Sequence, residues 1–231
     1  KNTMDDEVQL RDAHVHSSFM AEITVFSFPL SQPVRSVHLL LSANGIAYQD
    51  ELVDIFKGET QTESFLKLNP KGKVPAIKHK DFVLTEGAAI LQYIAEEFKL
   101  ESWYPTDTKT RARVNELLHW LHTGPRQSST LNFLRPILLK QQFDLEEAKK
   151  AHSKNVQILE DKLAESKFLV GDSPTIADLF ILPEIDQLAL FGAFFDYSAF
   201  PNVQRWLEEF KTFEYYQNQV KSILPVLQAL Q

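Results

Sequence analysis

In the stretch FPLSQPVRS, residues 28–36, a serine stands where an apolar run gives way to an amphipathic one. On the residues alone, Ser31 reads as a helix N-cap, its oxygen accepting from the amide of Val34 or a neighbour, with Pro33 in the first turn. Ser27 and Ser36 are rival hydroxyls, one inside the preceding strand and one a turn into the helix, so both read as structural. In GKVPAI, Pro75 lies where a strand begins and cannot donate a ladder hydrogen bond. It marks a strand edge or, with a cis Val74–Pro75 bond, turns the Val74 backbone outward for an extended peptide-like ligand. His14 with His16, and His119 with His122, lack the third ligand that a metal site needs. In GDSPTIADL, Thr175 and Asp178 have the spacing of a capping box, a structural device. The aromatic run LFGAFFDYSAF, residues 190–200, could line an apolar substrate site but reads first as core.

These residues must be carried by elements, and the periodicities supply them. ITVFS at 23–27 is a strand, and Val34, Val37, Leu40 and Leu41 recur at helical spacing until Asn44-Gly45 stops them. AYQDELVDI gives a second strand, parallel to the first through a right-handed crossover. KGETQTESFLKLNP holds a short helix. KVPAIKHK and DFVLT have hairpin spacing, and TEGAAILQYIAEEFKL follows as a helix with Thr85 and Glu86 at its start. The order is βαβαββα, a small α/β domain with a mixed sheet. Beyond ESWYPTDTK every periodic segment is helical. Residues 20–98 are therefore expected to form a sheet domain, 99–107 a linker and 108–231 an all-helical domain.

Composition narrows the functions. The 231 residues carry a net charge of −7 and are 44% hydrophobic, with no basic stripe to bind nucleic acid. Without cysteine there is no disulfide, thiolate metal site or protein-thiol nucleophile. The polar start of the chain, with Lys1 where an initiator would stand, reads as a tail over residues 1–19. No apolar run is long enough to span a membrane, and the expected location is the cytoplasm.

The combination of LSQPVRS, NPKGKVPAI, DFVLTEGAAILQYI and VGDSPTIADL resembles a cytosolic glutathione transferase, and LSQP with WYP…RARV looks most like the theta class. The resemblance covers nearly the whole chain after the tail. It implies a thioredoxin-like N-terminal domain, a helical bundle forming the electrophile site, glutathione as co-substrate without further cofactor or metal, and a homodimer. Ser31 falls at the catalytic hydroxyl of the serine-type families. A serine is too weak a base to take the thiol proton, so its use is to donate to the sulfur, best when that is a thiolate. A hydrogen bond to a charged partner is worth about 1.5–3 kcal/mol, or about one to two units of thiol pKa, and the Pro33 helix start adds positive potential. By the same resemblance Lys73 meets the glycyl carboxylate, with Thr60 where theta enzymes can carry a histidine near that end. Val74 and Pro75 hold the cysteinyl backbone, and Glu86 and Gly87 hold the γ-glutamyl end. Arg126 has the spacing of an arginine directed into the theta active site; its bland reading is a helix C-terminal cap. Gly87 stands where the family usually has serine, and Thr123 where theta relatives have aspartate.

The implied activity is conjugation of glutathione to hydrophobic electrophiles, reduction of organic hydroperoxides, or both. The alternatives are a non-catalytic binding or assembly module of the same fold and a glutathione-dependent dehalogenase.

Overall fold

The computed structural model describes residues 22–192 and 194–228; the expected tail, with His14 and His16, lies outside them. Strand β1 (Ile23–Ser27) alternates buried and half-buried side chains and leads through a tight turn into α1 (Gln32–Ala43). Asn44 ends α1, and Gly45 at φ +62° reverses the chain, a conformation glycine adopts without a Cβ penalty. Strand β2 (Tyr48–Leu52) returns parallel to β1 as an exposed edge. A 3₁₀ turn (Glu59–Gln61) and α2 (Glu63–Leu68) follow, with Thr62 accepting from the Phe65 amide as N-cap. Then β3 (Ala76–His79) pairs antiparallel with both β1 and β4 (Phe82–Thr85), giving the sheet order β2-β1-β3-β4. The expected βαβαββα order and parallel opening pair are present, and α3 (Gly87–Glu97) closes it.

Helices make up the rest: α4 (Thr108–Thr123), α5 (Arg135–Leu138), α6 (Leu145–Glu165), α7 (Ile176–Leu190), α8 (Pro201–Lys211) and α9 (Glu214–Gln228). A thioredoxin-like sheet domain is thus followed by an all-helical one. One apolar core runs through both, from Ile23, Leu39 and Ile90 to Leu117, Leu159, Ile181 and Trp206. Helix α7 lies at its centre, buried from Ile176 to Leu188. Asp178 explains how such a helix starts. Its carboxylate accepts from the amides of Thr175 and Leu169 (2.9 Å each), the Thr175 hydroxyl (3.0 Å) and the Trp206 indole (3.0 Å). Burial nonetheless pushes its pKa up against those donors.

Two expectations need correction. Thr85 ends β4 rather than starting α3; Glu86 is the N-cap as expected, but at φ +74° and without a side-chain capping bond. Helix α4 does end within WLHTGPRQ, but Arg126 opens the next helical segment rather than capping α4. Gly124 breaks α4, and a π-helical segment (Gln127–Leu134) leads into α5. It lies before Pro136, which has no amide to donate, and the Ser128 and Ser129 hydroxyls both turn back onto the Pro125 carbonyl (3.2 and 2.8 Å). Such local competition loosens the regular ladder.

Candidate active site

The Ser31 turn is held by its backbone. The Ser31 amide donates to the Phe28 carbonyl and its own carbonyl accepts from Arg35, both at 2.9 Å. Ser31 has the extended backbone of an N-cap (φ −73°, ψ 118°), yet its side chain makes no capping bond. Among the described residues the hydroxyl has no partner, and the residue is half-buried. The rival serines are used up: Ser27 is buried within β1, and the buried Ser36 donates to the Gln32 carbonyl (3.0 Å).

Three further pieces border this turn. Leu30 and Val34, flanking Ser31, share an apolar cluster with Phe28, Val74 and Ile223. The Val74–Pro75 peptide is cis. Among the described residues no backbone hydrogen bond outside helices and strands involves Val74, so its donor and acceptor remain open, as strand addition by a peptide requires. Lys73 is exposed, and its carbonyl accepts from the Asn69 side chain (2.6 Å). Thr60 is buried at 6% exposure in the 3₁₀ turn. That turn abuts Gly72, where an added Cβ would lie 3.2 Å from the Thr60 carbonyl and 2.5 Å from the Gln61 amide nitrogen.

The third piece is the N-terminus of α3. Glu86 pairs with Lys71 (2.7 Å). That hydrogen bond chiefly draws its carboxyl below the usual range against the opposing effect of burial, with the charges of His122 and Lys73 adding to it. Gly87 is buried behind it. A Cβ built there would lie 2.9 Å from both the Phe180 ring of α7 and the Pro33 Cβ of α1. The missing hydroxyl therefore has a steric cause: Phe180 and Pro33 fill the space that a serine needs. The Phe180 ring also meets His122 edge-on, 5.9 Å between centroids. Burial and then Arg126 pull the His122 pKa down, against Glu86 and Glu184.

Arg126 does not cap α4. It lies past Gly124 at the start of the π-helical segment, so the C-terminal dipole argument does not apply. Its Nη2 touches Glu184 Oε1 at 2.7 Å, while its buried Nε has no acceptor among the described residues. Thr123 is exposed and donates only to the Trp120 carbonyl (3.3 Å). Of the aromatic run, Leu190 and Phe191 reach the cluster at the Ser31 turn; Phe195 packs on both Tyr197 and Phe200. Residue 193 is outside the described residues. No group of three His, Cys, Asp or Glu that could hold a metal occurs among the described residues.

Sequence reading missed the residues of α7 that face this corner. Phe180, Glu184, Asp186 and Gln187 are all buried. The available signal was the polar set Glu184, Asp186 and Gln187 within an otherwise apolar helix, since such groups are buried only with partners. Asp186 takes a bidentate pair from Arg35 (2.9 and 2.6 Å) and the Tyr216 hydroxyl (3.0 Å). Burial opposes the Arg35 charge, but Asp186 outweighs it and holds the guanidinium's pKa above its ordinary value. The pair docks α1 onto α7, and Gln219 of α9 adds contacts to Arg35 (3.3 and 2.6 Å).

A thioredoxin-like sheet domain docked on helices thus carries an open backbone at Val74 and an unengaged hydroxyl at Ser31 beside its first turn. Comparison with known proteins makes this specific. Residues 21–96 match the glutathione S-transferase N-terminal domain and residues 126–213 the glutathione S-transferase C-terminal domain. The chain is 39% identical to glutathione S-transferase theta-3 of Mus musculus over 165 residues, 68% of each chain. It is 36% identical to glutathione S-transferase theta-1 of Homo sapiens over 68% of this chain and 69% of that one. Among solved structures, a delta-class glutathione transferase of Nilaparvata lugens superposes with a TM-score of 0.81 at 30% identity, over 90% of this chain and all of the other. The apo human glutathione S-transferase T1-1 superposes with a TM-score of 0.78 at 28% identity, over 90% and 99%. The chain belongs to the glutathione S-transferase family.

Proposed function

We propose that the chain is a theta-like transferase in which the Ser31 hydroxyl donates to the sulfur of glutathione and holds it as a thiolate. The thiolate attacks an electrophilic carbon, forming a carbon–sulfur bond as the leaving group departs with its electron pair. On an organic hydroperoxide it attacks the terminal oxygen instead, the oxygen–oxygen bond breaks with its electron pair leaving on an alkoxide that takes a proton to become the alcohol, and a second glutathione converts the sulfenic acid to the disulfide with release of water. The observation that carries this reading is the hydroxyl itself: it stands at an N-cap position, makes no capping bond and donates to no acceptor among the described residues, so its hydrogen is available. Lys73 and Thr60 take the glycyl end, Val74 and Pro75 the cysteinyl backbone, and Glu86 with the Gly87 amide the γ-glutamyl end. Arg126 is a second cationic group for the thiolate.

In this reading residues 20–98 bind glutathione and 108–231 form the electrophile site, joined through 99–107. The protein acts in the cytoplasm, where glutathione is kept reduced. It works as a homodimer, as the resemblance to the cytosolic glutathione transferases implies. Light scattering at micromolar concentration should give twice the chain mass; a monomer refutes the dimer.

Ser31→Ala tests the central claim. An ultraviolet thiolate titration of the glutathione complex should show the bound thiol's pKa rising by about one to two units. Turnover should fall at neutral pH and recover in part at higher pH. Folding stability should change little, because no cap bond is lost. An unshifted thiol pKa removes Ser31 from the mechanism.

A further inference from the structure

Two groups assigned above to the thiolate, Ser31 and Arg126, come from different halves of the chain, and a buried polar path runs from the Leu30 carbonyl, next to Ser31, to the Arg126 guanidinium. Gln32 follows Ser31 as the first residue of α1 and is 8% exposed. Its side-chain amide donates to the Leu30 carbonyl (3.2 Å), within the Ser31 turn, and to Gln187 Oε1 (2.5 Å) on α7. Gln187 is fully buried, and its Nε2 lies within 3.1 Å of Glu184 Oε2, 3.1 Å of Ser129 Oγ and 2.9 Å of Thr130 Oγ1. Glu184 Oε2 accepts from the Ser129 and Thr130 hydroxyls (2.9 and 2.5 Å), and its other oxygen touches Arg126 Nη2. Apolar packing could join α1 to α7 without such groups, and buried polar networks are often replaceable by apolar ones at no loss of stability. What hydrogen bonds add is a fixed register.

We propose that Gln187 is a positioning residue, which through Gln32 fixes the Ser31 turn and through Glu184 fixes the Arg126 guanidinium, so that both face one sulfur atom. The inference rests on the reading of Ser31 given above. It assigns Gln187 no contact with glutathione: its contacts are Gln32, Glu184, Ser129 and Thr130. Removing its amide leaves Ser31 in the chain but lets the turn drift from the position where donation to the sulfur is strongest.

The test uses Gln187→Met, close in volume and without hydrogen-bonding power, and Gln32→Met, at a helix start where loss of folding is less of a hazard. The ultraviolet titration is run on the glutathione complexes of the wild type and each variant, beside a urea melt. Each variant should raise the bound thiol's pKa by up to about one unit, a tenfold change in the thiolate equilibrium, with turnover recovering at higher pH. In a Ser31→Ala background Gln32→Met should raise it no further, and Gln187→Met should raise it only by the smaller part that acts through Glu184 and Arg126. A merely structural glutamine would move the melt and leave the thiol pKa in place, and that result overturns the proposal. A shift that persists undiminished without Ser31 overturns it as well. If the wild type itself does not lower the thiol pKa, the reading of Ser31 fails and this inference falls with it.

Discussion

Gly87 offers the sharpest contest between local propensity and tertiary packing. Glycine is a poor helix residue, so Gly87→Ala at the start of α3 should by propensity alone stabilise the protein by up to about 1 kcal/mol. The surroundings argue for the opposite sign. A Cβ there would lie 2.9 Å from a Phe180 ring carbon and 2.9 Å from the Pro33 Cβ, whereas carbon atoms rest at about 3.5–4.0 Å. Both contacts are about 0.6–1.1 Å too short on that scale, and neither neighbour can swing aside. Phe180 is 2% exposed in α7, and Pro33 is a ring fixed in the first turn of α1. Overpacking of this kind costs about 1–3 kcal/mol; with the propensity gain set against it, a net loss of about 1 kcal/mol is expected, and at about 2–4 °C per kcal/mol for a chain of this size the melting temperature falls by about 2–4 °C. Gly87→Ser carries the same Cβ together with the hydroxyl common in the family, so it should lose the same stability. It should also weaken glutathione binding, because α3 must shift to admit it. Thermal melts of wild type, Gly87→Ala and Gly87→Ser, with glutathione titrations of each, measure both effects. If either variant melts at or above the wild-type temperature, the steric account of this glycine is wrong.

Two other buried sites give predictions of comparable size. Asp186→Asn removes the charge facing Arg35, whose side chain is 1% exposed; breaking a buried pair from one side costs about 3–5 kcal/mol. A urea melt should show that loss, and Arg35→Met with Asp186→Leu should recover much of it; a loss below about 1 kcal/mol contradicts the assignment. His152 is fully buried between Ser128 and Tyr197 (3.2 and 3.1 Å), and burial pushes its pKa down to about 3. Its folded pKa lies below the unfolded value, so its contribution to stability is complete above about pH 6.5 and lost as pH falls toward 3. Between pH 7 and 5 the wild type should lose about 2 kcal/mol more than His152→Gln in urea melts; parallel pH profiles would show that His152 does not titrate on unfolding.

Much of the architecture was legible because local rules and the fold agree. The alternation in Ile23–Ser27, the Asn44-Gly45 stop and the hairpin spacing around Lys80 and Asp81 each describe a short segment whose physics is its own. The capping partnership of Thr175 and Asp178 was readable from spacing for the same reason. The backbone at the start of α3 was not, since the positive φ of Glu86 is imposed by the elements on either side rather than by its own preference. The helical stretch after Gly124 was missed because Pro125, two serines and Pro136 look like a loop, whereas Phe133 and Leu134 bury it in the bundle and Ser129 and Thr130 tie it to Glu184 of α7.

The site divides in the same way. Residue types and order place a serine after the first strand, a proline before the third and an acidic residue before α3, because each is set by neighbours along the chain. Tertiary structure alone decides that the Ser31 hydroxyl is left without a capping bond, that Arg126 leans on Glu184 rather than ending a helix, and that Phe180 occupies the place of a hydroxyl at Gly87. Gln32 and Gln187 are 155 positions apart, and no local pattern marks them as partners. Their pairing exists because α7 passes through the middle of the core against α1, and a polar group buried there must find whatever donor or acceptor the fold brings to it.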